Sequence, residues 1–225
     1  MMFYCIFNGI DSRGLGLQIE RLPPRVRAKP RYDTVTIPGR SGNLTVTDGT
    51  YDTFTRSVDF VVHDLSRVIE ICAAYTGAGW LTFGDEPDKR YKARASAELR
   101  PEWLTPKWRR LSVSFECQPF AYELYPQSVS LTNTIVLHNI GTFPAQPIMN
   151  INRSGIGNVV LTVNGAAFTI YNVPGTAVID CENLLAYAGT SALITAGEYP
   201  KLQLGGNTLS ISGGTAEIQP NWRWL

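Results

Sequence analysis

The residues able to do chemistry are few and far apart. Cys5, Cys72, Cys117 and Cys181 include no C-x-x-C pair, and His63 and His138 stand equally isolated, so the spacing that builds a metal centre is absent. The cysteines read as small buried hydrophobes, with no disulfide expected. A serine or cysteine nucleophile needs a base within hydrogen-bond reach, yet neither histidine sits in a recognisable motif and no G-x-S-x-G is present. A glycosidase needs two carboxylates ~5 to 9.5 Å apart. The last 95 residues supply only Asp180, Glu182, Glu198 and Glu217. Asp180 and Glu182, two apart, would share a strand face at ~7 Å, but two acids on one strand are far more often a solvated edge. Gly39-Arg40-Ser41-Gly42 lacks the G-x-x-x-x-G-K-[ST] spacing of a phosphate loop and reads as a turn. No catalytic residue, metal ligand or cofactor is expected.

Charge is the remaining handle. Arg21, Arg25, Arg27, Lys29 and Arg31 are spaced mostly by two, so an extended chain would show several on one side. Interleaved aromatics for stacking single-stranded nucleic acid are missing apart from Tyr32, and Asp33 ends the run, which favours docking to a neighbouring protein surface. Over the 225 residues the formal net charge is only +1, so no global field steers the chain to nucleic acid or an anionic membrane. At 44% hydrophobic and 17% charged residues a folded core is expected throughout. The start of the chain lacks a signal-peptide pattern, and no apolar run nears the ~18 residues of a membrane span, which predicts a chain made and folded in a cytoplasm.

The elements that must carry these residues are mainly strands. Leu111, Val113, Phe115 and Cys117 alternate with polar neighbours, as do Val58, Phe60 and Val62; weaker strands fall at Phe3 to Phe7 and Trp80 to Phe83. One helix is predicted, with Leu65, Val68, Ile69 and Cys72 on one face, Asp64 at its N-terminus and Gly77 just past its end. Residues 1–130 hold 17 of the 20 basic and 15 of the 19 acidic residues. That shift places a domain boundary after Cys117-Gln118-Pro119-Phe120, giving domains at 1–125 and 130–225. Beyond it, Asn164-Gly165 predicts a type I′ hairpin, and Gly213-Gly214 between Leu209, Ile211 and Ala216, Ile218 predicts a second of the same kind, together a β-sandwich. From Leu22 to Thr50 the chain is rich in Pro, Gly and Arg with weak apolar periodicity: either an arm ordered on a neighbouring subunit or a long solvated hairpin.

The order of local motifs resembles the distal tail (Dit) proteins of siphophages. Phe3, Phe7, Asn8, Gly9, Ser12 and Gly14 open the chain; Ile37 to Gly42, Asp48-Gly49 and Tyr51, Gly79 to Pro87, Arg90-Tyr91 and Phe115 to Pro119 follow. In the second half come Asn139 to Thr142, Pro147-Ile148, Ile179 to Glu182, Tyr199 to Leu202, Gly205 to Leu209 and Pro220 to Arg223. The resemblance implies an all-β fold: a ring-forming, tail-tube-like N-terminal β-barrel or sandwich with one helix, and a C-terminal galectin-like sandwich. It implies a non-enzymatic structural protein, a homo-hexameric hub in the virion between the tail tube protein and the tail-associated lysin or fibre protein, receptor-binding proteins being further partners. DNA would only pass through its channel, and no membrane contact is implied.

Ring closure needs two different surfaces on each subunit. The residues expected there are Arg21, Arg25, Arg27, Arg31 and Arg40 on the arm, and Asp85, Asp88 and Arg90 on a loop. The alternative is a carbohydrate-binding module using Tyr171, Tyr187, Tyr199, Trp222 and Trp224 as a stacking platform. His138-Asn139-Ile140-Gly141 departs from the H-x-N-P-R pattern of sugar-binding galectins, and a strand placing Trp222 and Trp224 on one face would more simply pack both into a core.

Overall fold

The computed structural model describes residues 3–95 and 99–225, and the chain divides into two units, Met1–Leu124 with Leu225 and Tyr125–Trp224. In the first, β1 (Cys5–Phe7), β2 (Ile10–Asp11), β3 (Leu17–Arg21), β4 (Pro30–Thr36), β5 (Asn43–Tyr51) and β6 (Phe54–Val62) precede a 3₁₀ turn (Leu65–Arg67) and helix α1 (Val68–Ala74). After the helix come β7 (Ala78–Phe83), β8 (Lys89–Ala95), β9 (Glu102–Trp103) and β10 (Arg109–Glu123).

Alternation decides what goes inside. Val58, Phe60 and Val62 of β6 and Leu111, Val113, Phe115 and Cys117 of β10 are buried as their period predicts, and β6 pairs β10 antiparallel from Phe54↔Cys117 to Val62↔Arg109. β10 is long enough to serve two neighbours. Its first half pairs β6 and its second half pairs β8, with a register shift between Cys117 and Ala121, so one antiparallel sheet, β2-β1-β7-β8-β10-β6-β3, forms around this strand. Rings from distant segments meet on its inner face, Phe7 5.3 Å from Phe115 and Phe60 5.2 Å from Tyr75. Each such buried side chain contributes roughly 1.5–3 kcal/mol.

The opening motif finds a structural reason here. Asn8 Oδ1 accepts from the Trp80 backbone N–H at 3.1 Å, and a Cβ on Gly79 would sit 1.5 Å from that oxygen. Only glycine lets the β1–β2 turn lock onto β7.

The helix is where expected but turned. Asp64 caps the 3₁₀ turn that leads into it, accepting from the Ser66 N–H at 3.0 Å, and Gly77 takes a positive φ past its end. The packed residues, however, are Ile71 and Tyr75, while Ile69 is 85% exposed. The first turn is 3₁₀, advancing three residues per turn instead of 3.6, so a phase counted from Leu65 is out of step by the time the chain reaches Ile69.

In the second unit, β11 (Val129–Leu131), β13 (Ile148–Asn152), β16 (Thr176–Asp180), β17 (Leu185–Ala188), β18 (Ser191–Ala192) and β21 (Thr215–Gln219) form a sheet ordered β11-β21-β13-β16-β17-β18. Facing it is β12-β20-β14-β15-β19, from β12 (Thr134–Asn139), β14 (Gly157–Val163), β15 (Ala166–Val173), β19 (Thr195–Ala196) and β20 (Gly205–Ser212). Met149, Ile151, Ile179 and Ile218 from one sheet and Leu161, Phe168, Ile170 and Leu209 from the other make a single core. This is a sandwich.

The Asn164-Gly165 hairpin is present, both residues at positive φ and Val163 opposite Ala166. Gly213-Gly214 is not a hairpin. β20 and β21 belong to different sheets, so this turn carries the chain across the sandwich. The crossing is tight: a Cβ on Gly213, at φ +85, would meet the Asn158 carbonyl oxygen at 2.4 Å. Asp180 and Glu182 do not share a strand face either. β16 ends at Asp180, whose Oδ1 accepts the N–H groups of Glu182 and Asn183 at 3.0 Å each, closing a turn.

Candidate functional site

The segment from Leu22 to Thr50 holds two paired strands rather than an irregular loop. Among the described residues β4 and β5 pair only with each other, Thr36↔Asn43 nearest the tip and Pro30↔Tyr51 at the root, with a register shift between Pro30 and Tyr32. Thr and Val suit the pleat, Arg40 N–H donates to Ile37 O at the tip, and Asp48 Oδ1 takes the Thr50 N–H and hydroxyl at the irregular root. Every residue from Lys29 to Thr50 is exposed.

Opposed residues in an antiparallel pair share a face. One face therefore carries Val35 with Leu44 and Val46 with Asp33, and Ile37 continues it; the other carries Tyr32, Thr34, Thr36, Asn43, Thr45 and Thr47. The apolar face is open to water, with Val35 48% and Val46 52% exposed. An isolated two-stranded hairpin is marginal in water, and an uncovered apolar face raises that demand. The period-2 signal Val35, Ile37 and Leu44, Val46 was available in the sequence, hidden by the Pro38–Gly42 turn between the two halves.

The root is held by ions. Arg56 lies on β6 with its side chain 1% exposed; its Nη1 donates to Glu86 Oε2 at 3.2 Å and its Nη2 to Pro23 O at 3.1 Å and Asp85 Oδ2 at 3.4 Å. The guanidinium stacks 3.7 Å from the Phe83 ring, and the Tyr91 hydroxyl donates to Glu86 at 2.9 Å. Arg25 closes the group from outside, bonding the Asp85 side chain and carbonyl. Glu86 and the Asp85 bond raise the Arg25 pKa above its ordinary value. The segment entering the hairpin is thus tied to the β7–β8 turn. Sequence reasoning missed Arg56, although its parity with Val58 and Phe60 marks it as inward-facing.

The expected interface residues are scattered around this frame. Arg25 and Asp85 come together. Arg31 pairs with Asp52 at 2.6 Å, a bond that raises its pKa. Asp88 pairs with the adjacent Lys89, which lowers the carboxyl pKa. Arg90 stacks 4.0 Å over Trp80, and burial lowers its pKa. Arg40 is at the hairpin tip, Arg21 is opposite Asp59 at the bulged end of β3, and Arg27 is exposed on the irregular segment between β3 and β4. Exposed ion pairs are worth ~0–1 kcal/mol, so a neighbouring surface can exchange them cheaply.

The crystal structure of the SPP1 Dit (gp 19.1) protein, a paradigm of the hub adsorption apparatus in phages that infect Gram-positive bacteria, superposes with a TM-score of 0.77 over 97% of this chain and 98% of that chain, at 15% identity. This chain has the Dit fold. No family model and no curated protein matches the sequence.

The asparagine motifs that carried the resemblance make hydrogen bonds within the fold. Asn139 takes the Gly141 N–H at 2.8 Å and donates to Phe143 O and Leu202 O at 3.2 Å each. Fully buried Asn207 accepts from Asn164 Nδ2 and Gln203 N–H and donates to Gln203 O and Gly205 O, all within 3.0 Å. The five aromatics of the sugar-platform reading separate. Trp222 is in the core, Trp224 and Tyr199 pack against it, and exposed Tyr171 and Tyr187 lie on different sheets. His63 bonds Gln18 and lies edge-on to Trp108. Among the described residues no His/Cys/Asp/Glu group could hold a metal, and no helix is long and apolar enough to cross a membrane.

Proposed function

We propose that this protein is a structural, non-enzymatic hub subunit of a phage tail tip. Six copies close a ring through the units that contain the hairpin, joining the tail tube protein to the tail-associated lysin or fibre protein and leaving a channel for DNA. The second, galectin-like units serve receptor-binding proteins. The protein is made in the host cytoplasm and resides in the virion, without a cofactor.

The observation that carries this reading is the hairpin. A 22-residue projection with one apolar face and no buried residue is hard to account for in an isolated chain, and a heterologous contact with the next subunit would cover it. The clamp at Arg56 aims the arm, and the charges of Arg21, Arg25, Arg27, Arg31 and Arg40, with Asp85, Asp88 and Arg90, rim the contact. The Dit fold supports the hub reading because SPP1 Dit is itself a hub protein.

The test is solution mass by size-exclusion chromatography with light scattering, followed by negative-stain imaging. Six chains of 24.9 kDa make about 149 kDa. Val35→Lys with Leu44→Lys should reduce that to the mass of one chain with the thermal melt intact, whereas Thr34→Lys on the opposite face should leave rings. Rings that survive the double substitution would remove the hairpin from the interface.

A further inference from the structure

Strand edges are where a β protein is vulnerable to, or ready for, a partner. The outer edges of the second unit's sheets are short at β11, β18 and β19, of three, two and two residues. β12 differs. It is an edge strand of six residues, Thr134–Asn139, paired with β20 in unbroken register from Thr134↔Ser210 to Asn139↔Gly205. It has no proline, lysine, acidic residue or bulge, the usual devices that protect an edge.

The ladder tells which groups are free. Ile211 N–H donates to Asn133 O at 3.0 Å, and hydrogen-bonded positions alternate along an antiparallel pair. Ile135, Leu137 and Asn139 therefore turn their backbone groups to β20, and Thr134, Val136 and His138 turn theirs outward. The side chains are equally suggestive. Ile135 and Leu137 pack against the sandwich core yet stay only partly buried, and Val136 on the outer face is 69% exposed.

We propose that the β12 edge is a strand-addition site for an extended, uncharged segment of a partner protein with apolar residues at every second position. The incoming backbone takes up the outward groups of Thr134, Val136 and His138, and its alternate apolar side chains complete the core beside Ile135 and Leu137. A second copy pairing through its own β12 fits less well. One six-residue strand pair is ~20 Å long and covers well under the ~1,200 Å² of a stable dimer, whereas a segment tethered within an assembly gains effective concentration. In assigning that segment to another tail-tip protein the inference rests on the hub reading.

The probe is a fluorescein-labelled peptide of about eight residues alternating valine and threonine, the length of a typical added strand, titrated against the full chain by anisotropy. Saturable binding is expected. Val136→Pro and, separately, His138→Pro each remove one outward N–H without touching the β20 ladder, and each should weaken binding at least tenfold while the thermal melt stays in place; Val136→Thr should bind like the parent. Equal binding by both proline variants, or no binding by the parent, overturns the site. Self-association that either proline variant abolishes makes a second copy the occupant and overturns the partner segment. Ring mass should be unchanged in these variants, so loss of the hub reading would show as absent rings whatever the peptide does.

Discussion

Arg56 donates to Glu86 across 3.2 Å with only 1% of its own side chain exposed. The pair joins β6 to the β7–β8 turn. Removing one partner of a buried ion pair typically costs about 3–5 kcal/mol because the other charge is stranded. Arg56→Met should therefore lower the urea midpoint strongly, and Glu86→Gln less, since Glu86 is 13% exposed and keeps the Tyr91 bond. Equal melts for Arg56→Met and parent would show that the clamp adds nothing.

Asn207 is fully buried with its four side-chain bonding positions occupied. Asn207→Asp replaces the amide donor with an acceptor facing Gln203 O and Gly205 O and brings a buried charge, so a loss of about 3 kcal/mol is expected from denaturant unfolding. A change under 0.5 kcal/mol would contradict the network.

Gly213 meets two constraints at once, a positive φ and the Asn158 carbonyl oxygen at 2.4 Å from any added Cβ. Gly165 has the positive φ but open space. Gly165→Ala should cost about 1 kcal/mol and Gly213→Ala clearly more, about 2–3 kcal/mol. Thermal melts of the two variants side by side decide it, and the reverse order would place the sheet crossing elsewhere.

Burial pushes the thiols of Cys5, Cys117 and Cys181 up to about 12, and Cys72, only partly buried, rises less. In the unfolded chain a thiol titrates near ~8.5. Folding thus favours the protonated form, so this contribution is complete below ~8.5 and is lost as pH rises towards 12. The melting temperature should fall steadily above about pH 8.5, and Cys117→Ala should show a shallower fall. In native protein at pH 8, Ellman's reagent should modify Cys72 before the others; rapid reaction at three or more thiols would contradict their burial.

Much of the fold was legible along the chain because the signals are local. Alternation at Leu111 to Cys117 and at Val58 to Val62 specifies half-buried strands whatever they pair with, and Asn164-Gly165 specifies its own turn. Asp64 announces a helix start through its reach to the next N–H groups. The helix face was misjudged because a 3₁₀ first turn leaves no mark in an apolar count. The candidate site was read in the sequence by its charges, from Arg21 to Arg40 and from Asp85 to Arg90; the apolar face shared by Val35 and Leu44 was not read there. That face exists only once the hairpin register is set.

By itself the sequence determined an all-β chain with one short helix, a change of character after Phe120, and turns at particular Asn and Gly residues. Each of these depends on a few neighbours and on steric or hydrogen-bonding rules that act within them. Only the tertiary structure decided that β20 and β21 part company at Gly213, that Arg56 is buried against Glu86, and that β12 is an edge strand among the described residues. A strand has two edges and the same alternation satisfies either neighbour, so pairing is settled by contacts between residues far apart in the chain, where core packing and backbone satisfaction must close together.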